Sequence, residues 1–172
     1  MRPPYGANCL VTIGGVSYAV METSDSSGGA WVEVLNGPVG LRCWWADPLT
    51  CRDDIDAKSF TNRVYIVLPE VFGVNAWVRS VADRLAANGY PALAVPLFAR
   101  TAPGLELAYE PSDLAQGRRH KDATTTEQIL SDVAAALDWL RTRHPAAAIH
   151  VVGFCFGGHA AFLAATLPGV EH

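Results

Sequence analysis

The run Gly153-Phe154-Cys155-Phe156-Gly157-Gly158 has the form G-x-C-x-G, a cysteine version of the G-x-S-x-G turn that presents a nucleophile between a strand and a helix. Such a turn lifts the sulfur above its surroundings, and Gly153 and Gly157 leave room where side chains would collide. The helix that begins after the turn aims its first N–H groups at the sulfur, which favours thiolate. The N–H of Phe156 is placed to serve one side of an oxyanion hole. The corresponding chemistry is attack on an acyl carbon through a covalent intermediate. A cysteine merely buried in a glycine-rich turn is written with the same letters. The flanking elements decide between the two readings.

For the turn to work, a buried strand must run into it and a helix must leave it. Ile149 to Gly153 reads as that strand and Phe156 to Leu167 as that helix. Upstream, Val64 to Leu68 is a continuous apolar run suited to a strand buried on both faces. Ala76 to Asn88 carries Val78, Val81, Ala82 and Leu85 at helical spacing, with Gly89 where a C-cap glycine belongs. Ala92 to Phe98 reads as a second buried strand, and Ala99 to Ala123 as a long polar excursion. Thr124-Thr125-Thr126-Glu127 looks like a capping box opening a helix with the stripe Ile129, Val133, Ala136, Leu137 and Leu140. Alternating strands and helices predict an α/β domain, its mainly parallel sheet flanked by helices with right-handed crossovers.

Before this regular part, Trp31 to Leu35 and Leu41 to Ala46 read as an antiparallel hairpin around Asn36-Gly37-Pro38. Cys9 to Thr23 suits two short strands around Gly14-Gly15, and Pro48 to Asn62 a polar surface segment. Residues 1–29 are set apart as an N-terminal extension and residues 30–172 as the domain.

At 172 residues, with 50% apolar and 17% charged side chains, the chain is globular in composition. A net charge of −4 points to neither nucleic acid nor an anionic membrane as partner. No stretch approaches the ~20 apolar residues of a membrane span, and the N-terminus lacks the apolar run of a signal peptide. Cys9, Cys43, Cys51 and Cys155 form no C-x-x-C pair, so no structural metal site is expected. The default compartment is the reducing cytoplasm, with free thiols.

Leu68-Pro69-Glu70-Val71-Phe72-Gly73-Val74-Asn75, Asn88-Gly89-Tyr90, Pro96-Leu97-Phe98-Ala99-Arg100 with Ala102-Pro103-Gly104, and the elbow itself occur in an order and spacing that resembles the dienelactone hydrolase family, from about Gly37 to Leu167. The resemblance implies a partial α/β-hydrolase fold and a carboxymethylenebutenolidase-like hydrolysis of a small-molecule lactone or carboxylic ester, as in aromatic catabolism, without metal or organic cofactor. It implies a Cys, Asp, His triad in which Cys155 is the nucleophile. Glu70 matches the acidic residue beside the resting cysteine, and Val71 and Phe156 match the oxyanion-hole donors. Taken by itself, Glu70 is an ordinary loop carboxylate. Arg100 suits a substrate carboxylate through its guanidinium fork, or an ion-pair role. Arg118 and Arg119 lie where the family often has a substrate arginine, and the loop does not choose between them.

In this fold the acid and then the histidine follow the nucleophile. After Cys155 come only His159, on the helix and poorly placed as a base, and His172, which nothing positions. His120, His144 and His150 precede the elbow, and His150 alternates with strand residues as a packed or edge side chain. The expectation is a C-terminally truncated family member, impaired or stalled as an acyl-enzyme. The edge beyond Ile149–Gly153 would then be open to a partner chain or to self-association. The alternative is a non-catalytic fragment, or a half that complements a second chain.

Overall fold

Two sheets form in the computed structural model, which describes residues 9–13, 16–20, 28–48 and 62–171. In the smaller, the two expected short strands, β1 (Cys9–Ile13) and β2 (Val16–Val20), pair antiparallel. The larger has five strands in the order β3-β4-β6-β5-β7. β3 (Gly29–Asn36) and β4 (Val39–Ala46) form the antiparallel hairpin, each longer than the apolar alternation suggested. Pairing continues to the two-residue turn, where Gly37 takes a φ of 58° that a side chain would disfavour. β4 then pairs antiparallel with β6 (Ala92–Ala94). β6 runs parallel to β5 (Arg63–Leu68), and β5 runs parallel to β7 (Ala148–Gly153). The sheet is thus mixed, with its parallel part where the strand–helix alternation placed it. The expected segment Pro48–Asn62 lies almost wholly outside the described residues.

Helices cover both faces. α1 (Ala76–Ala87) buries Val78, Ala82 and Ala86 against Trp44, Val67 and Ala94 on one face. The Asn75 side chain accepts the Val78 N–H at 3.2 Å as its N-cap, and Gly89 follows its end at φ 87°. α3 (Thr126–Arg143) buries the expected stripe from Ile129 to Leu140 against Leu41, Val64, Ile66 and Leu93 on the other face. β5 therefore sits between two apolar layers, which is why its sequence is apolar without alternation.

Three expectations are corrected. The strand expected over Ala92–Phe98 ends at Ala94, although Val95 to Phe98 stay buried. Pro96 has no N–H to donate to a ladder, so the chain leaves the sheet there. Within the expected excursion, residues Pro111–Asp122 form a helix, α2. It carries Pro at its first position, Asp113 in the first turn and Arg119, His120 and Lys121 in the last, all favourable to a helix and its dipole. It buries only Gly117, so no apolar stripe announced it.

The capping box of α3 falls one residue later than expected, on Thr125 and Gln128. Thr124 is occupied: its hydroxyl donates to the His120 carbonyl at 2.8 Å, closing α2. Thr125→Ala is expected to destabilise the fold by about 1 kcal/mol, seen as a fall of ~3 °C in the thermal midpoint.

The last helix, α4 (Phe156–Ala164), leaves directly from the end of β7. β7 closes one side of the sheet, and only Ile149 among its residues is fully buried. Beside it the chain returns in parallel, with Val170 bridging Ile149 and the Glu171 N–H donating to the Ile149 carbonyl at 2.8 Å.

Candidate active site

Cys155 joins β7 to α4 at φ 52° and ψ −113°, the single positive-φ residue other than glycine among the described residues. Such a backbone costs roughly 1–3 kcal/mol and persists only where its surroundings impose it. Here the Phe154 N–H donates to the Leu68 carbonyl at 3.1 Å, and the Gly157 and Gly158 N–H groups donate back to Phe154 and Cys155 at 2.8 and 3.0 Å. A Cβ on Gly153 would lie 1.9 Å from the Gly157 carbonyl oxygen, and one on Gly157 would lie 2.2 Å from that of Leu68. Both glycines of the motif are thus required by backbone contact.

The Cys155 thiol is exposed, whereas Cys43 is buried in the sheet. Burial, and to a lesser degree the charge of Asp132, pushes the Cys43 thiol far above its usual value, so it remains a packed, unreactive group. No protein acceptor takes the N–H of Val71 or of Phe156 among the described residues. These are the two donors expected to face a developing oxyanion.

Glu70 follows Pro69, whose carbonyl is among the nearest atoms to Gly157, so its loop and the elbow touch. Its carboxylate makes no hydrogen bond to Cys155 and instead accepts one from the Tyr109 hydroxyl at 2.9 Å. Tyr109 carries no motif and was not singled out in the sequence. It reaches Glu70 because the segment before it is stitched to the Glu70 loop. Glu106 bridges Gly73, the Leu107 N–H donates to the Phe72 carbonyl at 2.9 Å, and Asn75 Nδ2 donates to the Leu107 carbonyl at 3.1 Å. Gly73, at φ 76°, allows this approach, since a Cβ there would lie 1.9 Å from the Leu105 carbonyl oxygen.

The arginines separate. Arg100 Nη1 lies 2.5 Å from Oδ2 of Asp132, a fully buried carboxylate on α3 that also accepts from Asn36 Nδ2 at 2.7 Å. The guanidinium is engaged as an ion-pair partner. Arg100→Ala would leave the Asp132 charge buried with a neutral partner only, so a loss of about 3 kcal/mol is expected in denaturant unfolding. That is the low end of the usual range, since the Arg100 side chain is 26% exposed. Arg118 and Arg119 are exposed on α2. Gly117 just before them sets α2 against the Glu70–Val71 loop, since a Cβ there would lie 2.3 Å from the Val71 carbonyl oxygen.

No described histidine side chain hydrogen-bonds the Cys155 thiol, although the His159 backbone N–H donates to the Cys155 carbonyl at 3.4 Å. His159 is exposed on α4 and stacks on Phe156 at 6.0 Å. His120 lies by Phe98, while His144 lies by Trp45, where burial lowers its pKa. His150 stacks on Tyr65 at 5.4 Å, its Nε2 buried without a partner among the described residues. His172 is outside the described residues. Among those residues no group of three or more His, Cys, Asp or Glu is gathered as for a metal ion, and no helix is long and apolar enough to cross a membrane.

A strained turn between a parallel strand and a helix, above a sheet covered on both faces, is the arrangement of an α/β-hydrolase fold. Residues 55–171 match the Dienelactone hydrolase family, and the chain belongs to it. A Synechocystis sp. protein provisionally named carboxymethylenebutenolidase is 41% identical over 63% of this chain and 45% of its own length. The carboxymethylenebutenolidase of Pseudomonas putida is 36% identical over 63% of this chain and 47% of its own. A structure from Klebsiella pneumoniae, titled provisionally as a dienelactone hydrolase, superposes with a TM-score of 0.65 at 25% identity, over 83% of this chain and 56% of that one. The chain spans about half the length of the curated relatives it matches.

Proposed function

We propose that this chain carries the acylating part of a lactone or carboxylic ester hydrolase site, with Cys155 as its nucleophile. The observation that carries the reading is the exposed Cys155 at φ 52°, beside two backbone N–H groups with no protein acceptor among the described residues. Strain held at one reactive residue, and orphan donors beside it, are what acyl transfer requires and what a packing cysteine does not. Membership of the family, and relatives named carboxymethylenebutenolidase, support a small lactone or ester as the substrate class.

In this mechanism the Cys155 sulfur attacks the acyl carbon, and the carbonyl oxygen takes its charge toward the N–H groups of Val71 and Phe156. Collapse breaks the bond to the ring or ester oxygen and leaves a thioester on Cys155. The thiol proton is lost to solvent as the thiolate forms, and the leaving oxygen takes a proton from water. Arg118 and Arg119, on the helix set against the oxyanion loop, are the side chains available to a substrate carboxylate. Arg100 is already paired. No histidine side chain among the described residues hydrogen-bonds the Cys155 thiol, so attack by water on the thioester is the slow step for the chain by itself.

The test is to mix the purified chain with an activated aryl ester or with dienelactone, and to follow both product release and protein mass. The expected result is about one equivalent of fast release and an acyl adduct on the peptide bearing Cys155. Absence of any adduct on that peptide would end the proposal. Sustained turnover at the initial rate would refute the slow deacylation.

A further inference from the structure

We infer that Tyr109 is a positioning residue for this site, a latch that holds the Glu70 carboxylate off the Cys155 thiol. The inference rests on the reading of Cys155 as nucleophile and adds the control of its proton.

Four observations converge on this pair. The Tyr109 hydroxyl donates to Glu70 Oε2 at 2.9 Å, while Glu70 makes no hydrogen bond to Cys155 although its loop touches the elbow. The Tyr109 ring sits edge-on against Phe72 at 4.6 Å, two residues from Glu70, so the ring is seated as well as bonded. The chain just before it is tied to the Glu70 loop by the Gly73–Glu106 bridge and the Leu107–Phe72 and Asn75–Leu107 hydrogen bonds. Glu106 is tied down in turn by Arg42 and Arg79, which reach it from β4 and α1. Burial, with the Glu70 carboxylate adding to it and Asn75 opposing, holds the Tyr109 phenol above its ordinary pKa, so the phenol remains the donor of the pair.

The consequence is electrostatic. A carboxylate brought against a thiol accepts its proton in a hydrogen bond and repels the thiolate, so both effects oppose ionisation. While Tyr109 holds Glu70, the thiol is spared both. Freed from Tyr109, Glu70 can turn to the thiol across the contact between its loop and the elbow. The other titratable groups on the surrounding helices are His159 on α4 and Asp113, Arg118, Arg119, His120, Lys121 and Asp122 on α2. None of their side chains hydrogen-bonds Cys155 or Glu70 among the described contacts, and the His159 backbone N–H reaches only the Cys155 carbonyl, at 3.4 Å. Glu70 is thus the group whose position Tyr109 decides.

The experiment is the pH dependence of alkylation by iodoacetamide, read by mass spectrometry on the peptide that carries Cys155, using the full chain. It needs no ester turnover, so it reports on the latch even if the chain hydrolyses nothing. Tyr109→Phe keeps the ring against Phe72 and removes only the hydroxyl. Its profile is expected to move up by about one pH unit, slowing alkylation near neutrality up to about tenfold. Adding Glu70→Gln is expected to bring the profile back to that of Glu70→Gln alone, with an unchanged thermal midpoint as the control for folding. A Tyr109→Phe profile that overlays the parent would overturn the inference. So would a shift that survives Glu70→Gln, because it would then arise from structure other than the carboxylate.

Discussion

Cys155→Ala is expected to abolish the rapid release of leaving group and the acyl adduct together, a loss on the order of 10³-fold or more in the acylation rate. The size follows from what remains. The N–H groups of Val71 and Phe156 would still polarise a bound carbonyl, but water would have to attack without a positioned base. No other described thiol can substitute: Cys43 is buried, and burial holds it protonated. Cys155→Ser sharpens the result, because a hydroxyl, unlike a thiol, is a weak nucleophile without an adjacent base. Serine should therefore recover little of the burst. Stopped-flow absorbance with an activated ester gives the amplitude and rate of the first turnover, and the adduct mass gives its location. A burst of parental size in Cys155→Ala would remove this residue from the chemistry.

Gly157→Ala should be nearly as damaging, through geometry alone. The added carbon would lie 2.2 Å from the Leu68 oxygen, 2.5 Å from that of Pro69 and 2.6 Å from the Leu68 carbonyl carbon. All three are backbone atoms at the end of β5, between two packed layers, and cannot swing aside as a flexible side chain would. Relief requires moving the start of α4 away from the Glu70 loop, which shifts Cys155 and the Phe156 N–H together. The expected outcome is a loss of about 3 kcal/mol in denaturant unfolding, with the acylation burst lost where the protein still folds. Gly158→Ala is the matched control. Its new carbon would meet nothing closer than 3.5 Å, and it lies inside α4. Alanine there should be neutral or stabilising by up to ~1 kcal/mol. Equal stability and equal bursts in the two variants would mean that the elbow is not built as described.

How far the sequence could be read differs from element to element. The order β5, α1, β6, α3, β7, elbow and α4 was legible because each piece announces itself locally. Apolar runs mark strands covered on both faces, a stripe at helical spacing marks α3, and paired glycines mark a turn without room for side chains. α2 was not legible, because it buries a single glycine and its helix signals, Pro111 and the charge order along it, are end effects without a stripe. The register of the α3 cap was missed by one residue because Thr124, equally suitable by type, is spent on the end of α2.

The chemistry divides along the same line. By itself, the sequence placed Cys155 in a strand-to-helix turn as a candidate nucleophile, and the family resemblance pointed to the Glu70 loop and to the N–H groups of Val71 and Phe156. The turn is written in residue types a few positions apart. Only the tertiary structure decided the partners of the charged groups. Arg100 is claimed by Asp132, 32 residues away, and Glu70 by Tyr109, 39 residues away. A side chain's charge is visible in the sequence, but the partner that neutralises or positions it is chosen by the packing of distant elements, because a hydrogen bond depends on ångströms in space and not on distance along the chain.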